Sequence, residues 1–173
     1  MAELKLNHRF DIKTNRQYLN DQLTVLHCHH YAILFTQLGL DAKQLVDGTK
    51  ILQESAEDTF FKVLTSYYKN NNVMDIEDRI SIAMQMFSAV GLGKMVKNSL
   101  DENGGEIEMP KAYLDEGWIL KWGKNNEPVN YIGMGFVAGM VAAVFDKSIR
   151  SYKVTETQSR VMGADKSVLK ITL

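Results

Sequence analysis

Apolar positions change their spacing partway along the chain, from helical stripes to short alternating runs. Residues 1–13 alternate in Leu4-Lys5-Leu6 and Phe10-Asp11-Ile12, which suits a short edge strand. Thr14, Asn15, Asn20 and Asp21 are candidate helix caps. From 17 to 39 the residues Leu19, Leu23, Leu26, His30, Leu34 and Leu38 recur at spacings of three and four. That period predicts a long helix ending at Gly39. Cys28, Ala32 and Phe35 lie off this stripe, so the helix is expected to be largely enclosed. A second helix is predicted over 49–69 and a third over 76–90, with Asp75, Glu77 and Asp78 complementing the dipole at its start.

Beyond residue 91 the runs shorten. Leu92 to Leu100 and Gly105 to Met109 flank Asp101-Glu102-Asn103-Gly104, a hairpin signal, and Pro110 closes the second run. A short helix over 111–122, a loop at 123–128 and a very apolar helix over 129–145 follow. Two strands, 149–157 and 167–173, flank a turn at Gly163-Ala164-Asp165. The order predicts an α+β fold, a helical layer packed on an antiparallel sheet. One domain of 173 residues is expected, with a helical half at about 14–91 and an α/β half at about 92–173.

Composition narrows the function. Twenty Lys and Arg against 21 Asp and Glu leave a net charge of −1, with the basic residues scattered. Nothing here predicts nucleic acid as a partner, since such binding rests on phosphate neutralisation. The single cysteine, Cys28, excludes an internal disulfide and a Cys-based zinc cluster and fits a reducing, cytoplasmic setting. The longest apolar stretch, Tyr131 to Phe145, is 15 residues, short of the ~20 that a membrane span needs. No P-loop, dinucleotide fingerprint, nucleophile elbow or H-E-x-x-H helix is present, which favours a binder over a catalyst.

Several residues carry candidate chemistry. On a helix His27 and His30 would be three apart beside the leucine stripe, while His29 would point elsewhere. Two inward imidazoles suit hydrogen bonds to a guest or ligation of a metal or haem; satisfied core histidines are the plainer alternative. Trp118 and Trp122 share one face of their helix, as core or interface anchors or as walls of an aromatic-binding pocket. Met84, Met86, Met95, Met109, Met134 and Met140 either fill gaps in the core or make a pliable wall. Gly135 and Gly139 share a face of the apolar helix. Glycine costs about 1 kcal/mol relative to alanine there. Either another backbone packs closely against them, or they leave room for a ligand.

The stretch Glu127-Pro128-Val129-Asn130-Tyr131-Ile132-Gly133-Met134-Gly135-Phe136-Val137-Ala138-Gly139, with Val154-Thr155-Glu156-Thr157-Gln158-Ser159 and Met162-Gly163-Ala164-Asp165-Lys166-Ser167, resembles the 4-vinyl reductase family of predicted hydrocarbon-binding domains. It is also similar to the sensory domain of phenol-responsive activators, and both share a fold with vesicle-tethering subunits. The resemblance covers roughly 105–173. It implies a homodimer, and in the phenol-sensing relatives a zinc ion on a Glu and three Cys. The matching positions here are Asn130, Glu156, Ser159 and Ser167. Neutral Ser and Asn are poor zinc donors, so the zinc is expected to be absent and Glu156 to take another partner, such as a Lys, an Arg or a backbone amide.

The expected function is non-catalytic binding or sensing of a small hydrophobic or aromatic molecule in a buried pocket. His27 and His30 would orient a polar atom, and Trp118, Trp122, Met134 and Phe136 would form the walls, between the first helix and the 133–145 helix. The chain would then act through a downstream protein partner or as a carrier. Two alternatives stand beside this: a tetrapyrrole-related enzyme or accessory protein holding haem or porphyrin, and an interaction subunit with a filled core and no ligand.

Overall fold

The computed structural model describes residues 2–173. Its centre is the antiparallel hairpin that the Asn-Gly turn predicts. Strand β4 (Gly93–Asp101) pairs with β5 (Gly104–Ala112), and Gly104 takes φ +129° at the turn. Pro110 does not end β5. It sits where Met109 and Pro110 fall between the pairs Lys94 with Lys111 and Val96 with Glu108, a register shift that accommodates a residue without an N–H. Strands β6 (Lys153–Gln158) and β7 (Ser167–Thr172) complete a sheet of order β4-β5-β7-β6.

The helical layer comprises α1 (His29–Asp41), α2 (Gly48–Asn70), α3 (Ile76–Ala89), α4 (Tyr113–Trp122) and α5 (Tyr131–Val144). Asp47 and Asp75 cap α2 and α3 through their carboxylates, which accept from Lys50 N and Asp78 N. The main core joins α2, α3 and α5 to the sheet; Phe87, Phe136, Met140, Ile107 and Leu169 are fully buried in it. This is the α+β architecture predicted, with a helical layer on an antiparallel sheet. The most extensive helix pairing is α2 with α5. A Cβ on Gly135 would meet the Gln53 carbonyl oxygen, and one on Gly139 would lie 2.6 Å from the Glu57 carbonyl oxygen. The α2 backbone therefore occupies the space above both glycines, which is the close-packing reading of that face.

The N-terminal third departs from the expectation of one helix over 17–39. A three-stranded meander, β1 (His8–Asp11), β2 (Arg16–Leu19) and β3 (Gln22–Thr24), precedes α1. Asn20 and Asp21 cap no helix. Their φ values of 47° and 64° make the two-residue turn that pairs Leu19 with Gln22. Left-handed values at both central residues match the twist of a tight hairpin. Helix α1 also runs past Gly39, whose bare Cα lets Gly48 of α2 approach closely. Residues ahead of the meander are held along the helices: Leu4 N donates to Gln85 Oε1 and Lys5 N to Tyr67 Oη.

Candidate functional site

The meander stands over the helical layer and leaves a partly open cavity of about 930 Å³ between them. Leu19, Leu23, Val25 and Leu26 form the side toward the meander. Opposite them Phe35 of α1, Phe60, Val63 and Tyr67 of α2, Met86 of α3 and Ile132 of α5 supply the wall. Polar groups are few in the helical wall, mainly Thr59, Ser66, Asn70 and Asn71. The meander side is more polar, with Lys5, Asn7, His8, Asn20, Asp21, Gln22, Thr24 and His27 also lining the space, so an apolar helical wall faces hydrogen-bonding groups, a combination that small-molecule sites use.

Of the six ligand-binding residues expected from sequence, His27 lines this cavity and the other five do not. Because α1 starts at His29, His27 sits in the extended lead-in, with its ring stacked on Tyr31 at 5.1 Å. His30 is exposed and tilted against His29. The inward imidazole is His29, which meets Tyr113 edge-on at 5.5 Å and keeps Nε2 buried without a hydrogen-bond partner. The one-helix reading put the three histidines in the wrong angular order, since the helical phase begins ten residues later than the leucine stripe implied. Met134 and Phe136 are core residues. Trp118 is buried in a separate small cluster with Val129 and Val161, and Trp122 beside it is partly exposed. Met86 alone of the six methionines borders the cavity; Met95, Met109, Met134 and Met140 fill the core.

A second constellation lies where α4 meets the β6–β7 corner. Ser167 donates to Asp115 Oδ2 at 2.6 Å and accepts from Arg160 N at 3.1 Å. Asp115 is fully buried, and its Oδ1 has no partner. Glu156 also has both oxygens buried and unpartnered, as does the Ser159 hydroxyl. Burial pushes the Asp115 carboxyl up to about 6; the Ser167 bond and Arg160 oppose that rise. Burial, then the neighbouring Asp115 charge, pushes Glu156 up to about 7, with Ser159 and Ser167 opposing. The expected Lys, Arg or amide partner of Glu156 is thus not found; its charged neighbour is another carboxylate. Arg160, whose charge acts on Asp115, is bonded to Glu116 at 2.7 Å.

Asn130, the fourth position of the family's zinc set, is engaged elsewhere. Its Oδ1 accepts from Gly133 N and caps α5, and its Nδ2 points at Met109 Sδ. The remaining donors are two carboxylates and two hydroxyls, with no thiolate or imidazole, and that set does not fit zinc. Among the described residues no group of three or more His, Cys, Asp or Glu is placed to hold a metal. Sequence reasoning missed Asp115. The available signal was its placement three before Trp118, on the inward face of α4 between Leu114 and Gly117, both buried.

No family model and no curated protein matches the sequence. The fold, in contrast, has clear neighbours among solved structures. The phenol-responsive sensory domain of the transcription activator PoxR, solved with phenol, superimposes with a TM-score of 0.80 at 12% identity, covering 95% of this chain and 84% of that one. A vinyl-4-reductase family protein from Methanocaldococcus jannaschii gives 0.55 at 18% identity, covering 86% of this chain and 83% of that one. Trafficking protein particle complex subunit 3 from Naegleria fowleri, covalently bound to palmitic acid, gives 0.54 at 13%, covering 84% and 93%. These are the groups that the Gly-rich helix and the Glu156–Ser167 spacing resemble, and this chain shares their fold. Among the described residues no helix is long and apolar enough to cross a membrane.

Proposed function

We propose that this protein binds a small apolar molecule in the cavity beneath the N-terminal meander, without catalysis. The observation that carries the reading is the cavity itself: about 930 Å³, with Leu, Val, Phe and Met side chains along much of its wall and polar residues mainly toward the meander. Leaving such apolar surface wet costs about 25 cal/mol per Å², so an apolar guest that dries it is stabilised. Two fold neighbours support a guest at this scale of protein: the PoxR sensory domain was solved with phenol, and the trafficking complex subunit is covalently bound to palmitic acid. The size of the space refines the class. A cavity of about 150 Å³ already takes benzene, so a single ring would leave most of this one unfilled. The guest is a multi-ring or long-chain molecule with one polar end, which His27, Asn70 or Asn71 would receive.

The same reading includes a homodimer. The outward face of α1 exposes Tyr31, Leu34 and Leu38, at 50%, 40% and 54%, and Leu45 follows at 93%. Apolar exposure in one stripe marks an interaction surface, and a second copy of the chain would cover it. The downstream protein partner expected of a sensor would act through the assembled pair.

The experiment uses N-phenyl-1-naphthylamine, a neutral two-ring fluorophore that brightens on leaving water. Wild type binds it, and Val63→Trp, which fills the chamber from α2, weakens binding at least tenfold, about 1.4 kcal/mol, with no loss of thermal stability. Native mass spectrometry of wild type shows a dimer and a displaceable small-molecule adduct. A probe that stays dark up to its solubility limit, or that binds Val63→Trp as tightly as wild type, defeats the proposal.

A further inference from the structure

We propose that the N-terminal meander is a lid that closes over the apolar cavity when a guest is bound. A strap of residues 2–5, latched to Gln85 and Tyr67, holds one end of it, and residues 25–28 hold the other. This deepens the reading of the cavity and rests on it.

The meander is joined to itself and to little else. Strands β1, β2 and β3 pair only with one another. The Arg9 guanidinium sits over the Tyr18 ring, His8 bonds to Gln17, and Asp11 accepts from Lys13 N, all within the same unit. Among the described residues no hydrogen bond or ion pair runs from residues 8–24 to a helix. A sheet of strands only three and four residues long needs an apolar partner to be stable. It has that partner only in part. Leu23, Val25 and Leu26 line the cavity, yet they are 62%, 70% and 72% exposed, which leaves them short of the facing wall of Phe35, Phe60 and Val63. An apolar guest between the two surfaces dries both. It touches both at once only when the lid is down, and this difference in affinity is what shifts the lid toward closure.

Two helical residues latch the strap. Gln85 Oε1 accepts from Leu4 N at 3.0 Å, and Gln85 Nε2 donates to the Ala2 carbonyl at 2.9 Å. Tyr67 Oη accepts from Lys5 N at 2.8 Å. The Lys5 carbonyl accepts from Asn20 Nδ2 at 3.0 Å, and Asn20 Oδ1 accepts from Asn7 N at 2.8 Å, so the strap is clasped to the turn between β2 and β3. Tyr67 is buried and lines the cavity. One residue therefore presents its side chain to the guest and its hydroxyl to the strap. At the other end residues 25–28 belong to no helix or strand, which makes them the pivot between the meander and α1.

The test follows backbone amide exchange by mass spectrometry, and probe release by stopped-flow fluorescence, in the full chain with saturating N-phenyl-1-naphthylamine. In wild type the bound probe slows exchange across residues 17–26 at least about tenfold and leaves the β4–β5 hairpin unchanged. Gln85→Leu removes the strap's bonds at a residue that does not line the cavity. Tyr67→Phe keeps the ring and removes the hydroxyl. Each variant releases the probe at least about fivefold faster than wild type and loses most of the protection over 17–26. Exchange over 17–26 that is the same with and without bound probe overturns the inference, and so does wild-type release from Gln85→Leu, because a wall that does not move takes no notice of the strap. The cavity reading survives either of those results, since the probe is bound in both. A probe that fails to bind wild type removes both readings.

Discussion

Gly135→Ala lowers the unfolding free energy by about 3 kcal/mol or more, measured by urea denaturation. Alanine would ordinarily improve a helix by about 1 kcal/mol at such a position. Here the added Cβ is driven into the Gln53 carbonyl oxygen and against the Ala56 Cβ, and the first of these is backbone inside α2. Backbone cannot rotate aside as a side chain does, so α2 and α5 must separate along their whole contact. Two other helical glycines calibrate the effect. At Gly139 the nearest obstruction is the Glu57 carbonyl oxygen at 2.6 Å, so Gly139→Ala is damaging but less so. At Gly117 the new Cβ meets the Ile33 side chain at 3.2 Å and His29 at 3.4 Å. Side chains give way there, and Gly117→Ala stays within about 1 kcal/mol of wild type. A Gly135→Ala protein as stable as Gly117→Ala would show that the α2–α5 contact is not the tight one described.

That contact also explains which parts of the fold could be read in advance. Elements with a strong period and clear punctuation were legible: the hairpin at Asn103-Gly104, α2 and α3 with their Asp caps, and the apolar α5. The meander was not, because Leu19, Leu23 and Leu26 satisfy a helical stripe while the chain alternates in space. What decides between the two is Asn20-Asp21, since either residue type serves as a cap or as a left-handed turn. With that turn misread, the histidines were misphased and the cavity was sought against α5 instead of under the meander. The carboxylate pair was half legible. Glu156 was visible by its spacing to Ser159 and Ser167, but Asp115 comes from a helix 41 residues earlier in the chain, and only the fold brings it alongside. Trp118 and Trp122 were correctly placed on one helix, yet the small cluster that holds Trp118 depends on Val129 and Val161 from distant loops and turns.

Phe136 separates a wall from a foundation. Phe136→Ala costs about 3–5 kcal/mol of stability, the range for emptying a buried aromatic site. The ring is fully buried, 4.5 Å from the Phe60 ring and 4.9 Å from that of Phe87, so the substitution removes two aromatic contacts along with the buried area. It lies behind Phe60, which borders the cavity while Phe136 does not. The two positions should therefore part company when stability and binding are measured together. Phe136→Leu keeps most of the volume and is expected to hold the affinity for N-phenyl-1-naphthylamine within about twofold while still costing about 1 kcal/mol or more of stability. Phe60→Leu reshapes the wall itself and changes that affinity at least threefold, about 0.7 kcal/mol on the scale where tenfold is 1.4. A Phe136→Leu protein that is fully stable but has lost the probe would place the guest against α5, where the sequence first put it, and would move the binding site out of the space beneath the meander.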